Sequence, residues 1–146
     1  MRSKFGEFDL ARIGGFAHHD YTAGFLRPDT FWNWACISDR LGDGRLLGLN
    51  VSRGVNETGL TENCFWLNGV LHKIDSVLFE YDQDDLNRKW RIKSFDGRLD
   101  LEFSPQGGYH AFNERPGREN RFHQLFGRFT GSLHDSRGRK VIVESL

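Results

Sequence analysis

The stretch Gly44-Arg-Leu-Leu-Gly-Leu-Asn-Val-Ser-Arg-Gly-Val-Asn-Glu-Thr-Gly-Leu-Thr-Glu-Asn-Cys-Phe-Trp-Leu-Asn-Gly-Val-Leu-His-Lys-Ile74 decides the fold. Its first part alternates. Leu47, Leu49 and Val51 share one face, and Gly48, Asn50 and Ser52 share the other, which is the period of a strand. A polar, Gly-rich loop follows. Asn68-Gly69 then marks a hairpin, because a type I′ turn needs positive φ at both central residues. A two-residue turn there sets Leu67 opposite Val70, Phe65 opposite His72 and Asn63 opposite Ile74. Cys64, Trp66, Leu71 and Lys73 fall on the second face.

Working outward, Asp96-Gly97 gives a second two-residue turn. It sets Lys93 opposite Asp100, Arg91 opposite Glu102, Ile92 opposite Leu101 and Trp90 opposite Phe103. One face of this hairpin is charged and the other apolar, so a slip by one residue would mix both. Residues 30–38 read as an aromatic strand, with Phe31, Asn33, Ala35 and Ile37 on one side and Trp32, Trp34 and Cys36 on the other. Further strands are expected at 5–13, 76–81, 109–113, 120–133 and 140–146, with loops at 82–87 and 114–119. Gly127 and Gly131 inside the long strand point to bulges or sharp bends.

Nine or ten closely spaced strands and no helix of three turns give an all-β, antiparallel meander. Such a meander closes into a barrel or folds into a sandwich, and recurring curvature glycines and sequential hairpins favour the barrel. The length of 146 residues fits a single domain. A formal net charge of zero sets aside nucleic acid as a partner. No run approaches the ~20 apolar residues of a membrane helix, and no signal-like segment opens the chain, so the expected location is the cytoplasm. Two cysteines, Cys36 and Cys64, are too few for a disulfide scaffold. They read as reduced core residues that pair only if their strands are neighbours.

Residue chemistry concentrates in the loop from Arg53 to Asn63. A carboxyl group of Glu57 or Glu62 desolvated at a barrel mouth would suit proton transfer. The alternative is a loop whose Asn and Thr side chains bond their own backbone while Glu is solvated. Asn50 points into a cavity if the Leu47–Leu49–Val51 face packs outward, and to water if that face is the core. Trp32, Trp34, Phe65, Trp66 and Trp90 are either pocket wall or plain core. His18-His19-Asp20 is a poor metal site, since neighbours on a strand point apart, and no other histidine shows ligand spacing. No metal and no cofactor is expected. Composition and pattern alone fix no reaction.

The segments Asp20-Tyr-Thr-Ala-Gly-Phe-Leu-Arg-Pro, Trp32-Asn-Trp-Ala, Asp43-Gly-Arg-Leu-Leu-Gly-Leu-Asn, Gly54-Val-Asn-Glu, Glu62-Asn-Cys-Phe-Trp-Leu-Asn-Gly and Phe126-Gly-Arg-Phe-Thr-Gly resemble the bacterial domain-of-unknown-function family 2804. That family is similar, more remotely, to the lipocalin-like superfamily of hydroxyneurosporene synthase (carotenoid 1,2-hydratase) and AttH-like proteins. The resemblance runs from about Gly15 to Leu146. It implies a lipocalin-like barrel and a two-barrel family architecture of which this chain resembles the second half. A site lying between the two halves would then be either incomplete here or rebuilt by a homodimer, and an open edge after Leu146 would favour such pairing. The resemblance also implies an apolar, polyene-like ligand. Glu57, Glu62 and Tyr21 would be its proton-transfer candidates, and Arg27, Trp32, Trp34, Asn50, Arg53, Asn56, Asn63 and Trp66 its binding candidates. Three readings follow: a module binding a hydrophobic small molecule of lipid or terpenoid type, a lyase or isomerase of the hydratase type with a loop glutamate as proton donor, and a structural half-domain that works beside a partner.

Overall fold

A computed structural model describes the chain except for residues 1, 4, 5, 8, 22, 26, 28, 55–59, 116, 117, 145 and 146. Eleven strands lie among the described residues: β1 (Arg2–Ser3), β2 (Gly6–Glu7), β3 (Asn33–Arg40), β4 (Leu46–Arg53), β5 (Cys64–Leu67), β6 (Val70–Lys73), β7 (Val77–Glu80), β8 (Trp90–Ser94), β9 (Leu99–Arg115), β10 (Arg118–His134) and β11 (Lys140–Val143). All pairings are antiparallel. No helix is present among the described residues, and none is long and apolar enough to cross a membrane.

The chain folds as two compact units, Met1–Lys73 and Ile74–Leu146. The first holds the β1–β2 ribbon and a four-stranded sheet in the order β3-β4-β5-β6. The second is a five-stranded sheet in the order β11-β10-β9-β8-β7. The all-β, antiparallel expectation therefore holds, but the closed barrel does not: among the described residues the ladders form separate open sheets. The meander supplies neighbouring strands, and ladder closure between the first and last of them is what the expected curvature failed to produce.

In the first unit the alternation of β4 sets the register of everything around it. Leu49 pairs with Ile37 on β3 and Phe65 on β5, and Phe65 with His72 on β6. This row is buried throughout, as are Leu47, Val51 and Leu67 beside it. The Leu47–Leu49–Val51 face is the core face. The Asn68-Gly69 turn has φ of 48° and 81°, the left-handed pair that a type I′ turn demands, and its register is as the sequence predicts.

In the second unit Ile92 pairs with Leu101, Gly131 pairs with both Leu101 and Val143, and the side chains of that row are buried. The predicted register at Asp96-Gly97 is also met. The turn itself differs. Gly97 donates to the Ser94 carbonyl at 3.2 Å, while the Asp96 carboxylate accepts the Ser94 hydroxyl at 2.6 Å and the Arg98 N–H at 3.0 Å. The loop is thus four residues, closed by Asp96 rather than by a two-residue turn. On the outer face Arg91 holds Asp100 through two bonds of 2.9 and 2.8 Å, and Lys93 reaches Glu80 at 3.1 Å. These pairs are exposed, so they define the solvent face more than they stabilise it.

Two other expectations are corrected. Residues 9–15 form a turn rather than the end of a strand, because the Asp9 carboxylate accepts the N–H groups of Ala11 and Arg12 at 3.1 and 3.3 Å. Phe5 and Phe8 of that expected strand lie outside the described residues. Residues 99–115 form one continuous strand through Pro105, not a short strand after a loop. Phe126 pairs with Gly107 and Gly127 with Pro105, so Gln106 is the extra residue of a β-bulge. The bulge is where a strand tolerates a proline that cannot donate to the ladder.

Asp135 builds the β10–β11 turn. Its side chain is 1% exposed and accepts the N–H groups of Arg137 and Arg139 at 2.8 and 2.9 Å and the Arg139 guanidinium at 2.7 Å. Burial pushes its carboxyl up, but these bonds outweigh it and hold the pKa at about 2. A lowered folded pKa stabilises above the unfolded carboxylate value of about 3.9 and is lost as the pH falls toward the folded one. Urea midpoints of wild type and Asp135→Asn should therefore differ at neutral pH and converge progressively below about pH 4. A gap that stays constant down to pH 2 would contradict this assignment.

Gly131 has φ of +133°, and a Cβ there would lie 2.3 Å from the Asp100 carbonyl oxygen. Gly131→Ala is expected to cost about 1–3 kcal/mol through backbone strain and overpacking. Gly42→Ala meets open space and should change stability by less than about 0.5 kcal/mol. Denaturant titration of the two variants checks the contrast.

Candidate functional site

The second face of the β3–β6 sheet carries the unusual residues. Register places them in rows across the strands: Trp34 beside Ser52; Cys36, Asn50, Cys64 and Lys73; and Ser38, Gly48, Trp66 and Leu71. Period-two alternation puts all of them opposite the core face. Trp34, Cys36, Asn50 and Trp66 are half-buried, so this face is neither core nor free surface.

Asn50 lies between the two tryptophans. The Trp34 indole N–H donates to its Oδ1 at 2.8 Å. An indole nitrogen only donates, so this bond fixes which end of the amide is oxygen. The Asn50 amide nitrogen then points its two N–H donors away from Trp34, and it makes no hydrogen bond among the described residues. Trp66 lies over Gly48, with a ring carbon 3.4 Å from the place a Gly48 Cβ would take. His18 stands edge-on to Trp34 with ring centroids 5.5 Å apart, and its Nδ1 is 3.5 Å from the Ser38 hydroxyl. The N-terminal segment thereby touches one margin of the face.

The two cysteines flank Asn50 from opposite strands. They stand two strand spacings apart, roughly 9.5 Å, which is beyond the reach of a disulfide. Both are free. Burial raises the Cys36 thiol pKa, and the Asp20 carboxylate raises it further. Burial also raises that of Cys64 against the opposing pull of Lys73. Both thiols stay protonated at neutral pH, the opposite of what a nucleophilic cysteine needs.

The remaining candidates divide sharply. Glu62 is exposed, and its carboxylate accepts the Ser52 hydroxyl. The desolvation that a proton-donor role requires is missing there. Asn63 is 1% exposed and faces the core, where its Oδ1 accepts the Ser52 N–H at 2.7 Å. This is the backbone-bonding role that the alternative reading of the loop gives to asparagine. Arg53 alternates onto the core side and pairs with Asn33. Arg27 donates to the Gly54 carbonyl at 3.1 Å, tying the N-terminal segment to the loop start. Tyr21 is 79% exposed and Trp32 43% exposed. Asn56 and Glu57 lie outside the described residues.

The structure thus brings together Trp34, Asn50 and Trp66, with Glu62 at one end, and does not add Tyr21, Arg53 or Asn63 to them. His18, Asp20, Ser38 and the two cysteines complete the face. Alternation in the sequence already sets Cys36 with Trp34 and Cys64 with Trp66, and carrying the same period two residues further along β3 would have added Ser38. No group of three or more His, Cys, Asp or Glu side chains among the described residues is arranged to hold a metal ion. Aromatic planes, an oriented amide and protonated thiols suit binding by stacking and a single hydrogen bond.

The chain matches the family described as Domain of unknown function (DUF2804) over residues 1–146, and it belongs to that family. No curated protein and no solved structure matches it.

Asn50→Leu leaves the half-buried Trp34 N–H without its acceptor and is expected to cost about 1–3 kcal/mol. In a double-mutant cycle with Trp34→Phe, the coupling should be about 0.5–1.5 kcal/mol. Additive single-variant effects in urea titrations would mean that the bond contributes nothing.

Proposed function

We propose that this member of the family is a binding module that lays a flat, hydrophobic small molecule of lipid or terpenoid type on the Trp34–Asn50–Trp66 face. The two tryptophans provide apolar area, and the Asn50 amide donates to one oxygen of the ligand. The carrying observation is the oriented Asn50: its oxygen is held by Trp34, while its N–H donors make no bond among the described residues. A ligand carbonyl, carboxylate or hydroxyl oxygen would accept from these donors in place of water. This reading places the ligand on an open sheet face in place of the lumen of a lipocalin-like barrel.

The hydratase-type alternative asks a loop glutamate to donate a proton from a desolvated site. Glu62 is exposed and bonded to Ser52, which disfavours it.

The test is a tryptophan-fluorescence titration of the delipidated chain with all-trans-retinol and with oleate. A saturable change is expected for at least one of them. It should be lost in Trp34→Phe/Trp66→Phe, and Asn50→Ala should weaken affinity roughly tenfold, the loss of one hydrogen bond. A signal that never saturates, or that is indifferent to Asn50 and both tryptophans, would refute the proposal.

A further inference from the structure

Two histidines meet on the long β9–β10 hairpin. His110 on β9 and His123 on β10 are direct cross-strand partners. Their Nδ1 atoms lie 2.6 Å apart, with ring centroids 4.9 Å apart and ring planes at 64°. Both residues are exposed. Only one proton fits between two nitrogens at that distance, so one ring donates it and the other accepts with its δ lone pair. Neither ring makes another hydrogen bond among the described residues, which leaves both ε nitrogens to water.

The same face of the hairpin sets the surroundings of the pair. Phe112, two residues along β9, stands edge-on to the His123 ring, with centroids 5.6 Å apart and planes at 80°. On the other side Gly108 leaves the His110 ring uncovered, because a Cβ there would come within 3.4 Å of its Nε2. Arg121, two residues before His123 on the same face, has its charge engaged by Glu119. A cation at the histidines therefore meets no unpaired arginine from that position.

We propose that His110 and His123 form a chelating site for one divalent transition-metal ion of the copper, nickel and zinc group. Imidazole suits these metals. The donor ring moves its proton to Nε2, and both δ lone pairs then face the ion in place of the shared proton. The ring positions fit. A metal about 2.0–2.1 Å from an imidazole nitrogen lies about 3.1 Å from the ring centroid when it sits in the ring plane. Two centroids 4.9 Å apart then subtend an angle of about 100° at the metal. That falls between the angles of about 90° and about 109° of square-planar and tetrahedral sites. The rings need only pivot about their side-chain bonds, and the strands keep their register. Both ligands are already held on paired strands, so little order is lost on binding. Water completes the coordination, since the described residues bring no third His, Cys, Asp or Glu to the pair. Thirteen residues separate the two histidines along the chain, so no short ligand spacing in the sequence marks them.

The inference is independent of the ligand reading, which concerns the other unit. The test is a titration of the chelator-washed, tag-free chain with zinc chloride, followed through the ring NMR signals of its six histidines. The His110 and His123 signals should move together and saturate at one equivalent, ahead of those of His18, His19, His72 and His134. His110→Gln and His123→Gln should each weaken zinc binding on the order of 100-fold, the advantage of joining two ligands. His19→Gln should leave it unchanged. Both substituted rings are exposed, so the far-UV circular dichroism spectrum should not change. His110 and His123 signals that stay still at millimolar zinc, or that follow those of the other histidines, overturn the proposal, as does an affinity indifferent to both substitutions. If a variant does not fold, the wild-type signals decide: joint saturation of the two rings at one equivalent supports the site, and its absence refutes it.

Discussion

The first unit depends on one constraint: β4 is hydrogen-bonded on both sides, so its side chains have only two directions to point. Leu47, Leu49 and Val51 take one and are almost fully buried. Gly48, Asn50 and Ser52 take the other. Because β3 and β5 are registered on β4, they inherit the same division, and β6 inherits it through the Asn68-Gly69 turn. Shifting any of these strands by one residue would send Phe65 or Ile37 to the wet side and Trp66 or Cys36 to the core. Burying a large apolar side chain is worth about 1.5–3 kcal/mol, so several such losses together exceed anything the polar face could return.

The candidate site is a by-product of that arrangement. The core face needs only aliphatic and aromatic bulk, and the opposite face is then free to carry chemistry. Trp34 and Asn50 are on different strands, two residues out of direct register, which is the diagonal reach of a long aromatic side chain. Their bond orients the amide at no cost to the ladder. The same logic explains why Glu62 is an unconvincing acid. It lies at the solvated end of this face, whereas the buried polar residue nearby, Asn63, is used up in holding the Ser52 backbone.

Much of this was legible in the sequence, because alternation and turn chemistry are local. The faces of β3 and β4, the register of both hairpins and the bulge near Gly127 follow from residue type at short range. What escaped were outcomes set by competition or by distance. Asp9 captures the N–H groups of Ala11 and Arg12 and turns a segment whose apolar spacing suggests a strand. Asp96 does the same to a turn whose Asp-Gly sequence suggests two residues. Pro105 reads as a strand breaker, yet a bulge absorbs it inside a 17-residue strand. Barrel closure was not legible at all, since it depends on which edges meet, and the residues at the edges carry no mark of it. Asn50 was the instructive case. Its face was correctly assigned, but whether that face is wet depends on which side is core, and only burial answers that.

The most direct measurement is a cysteine scan of β4 in a Cys36→Ser/Cys64→Ser chain, with residues 47 to 52 replaced one at a time. Thiol labelling in native buffer should alternate, with cysteines at Gly48, Asn50 and Ser52 reacting and those at Leu47, Leu49 and Val51 reacting only in denaturant. Labelling that shows no period of two, or that alternates in the opposite phase, would contradict the two-faced sheet on which the site rests.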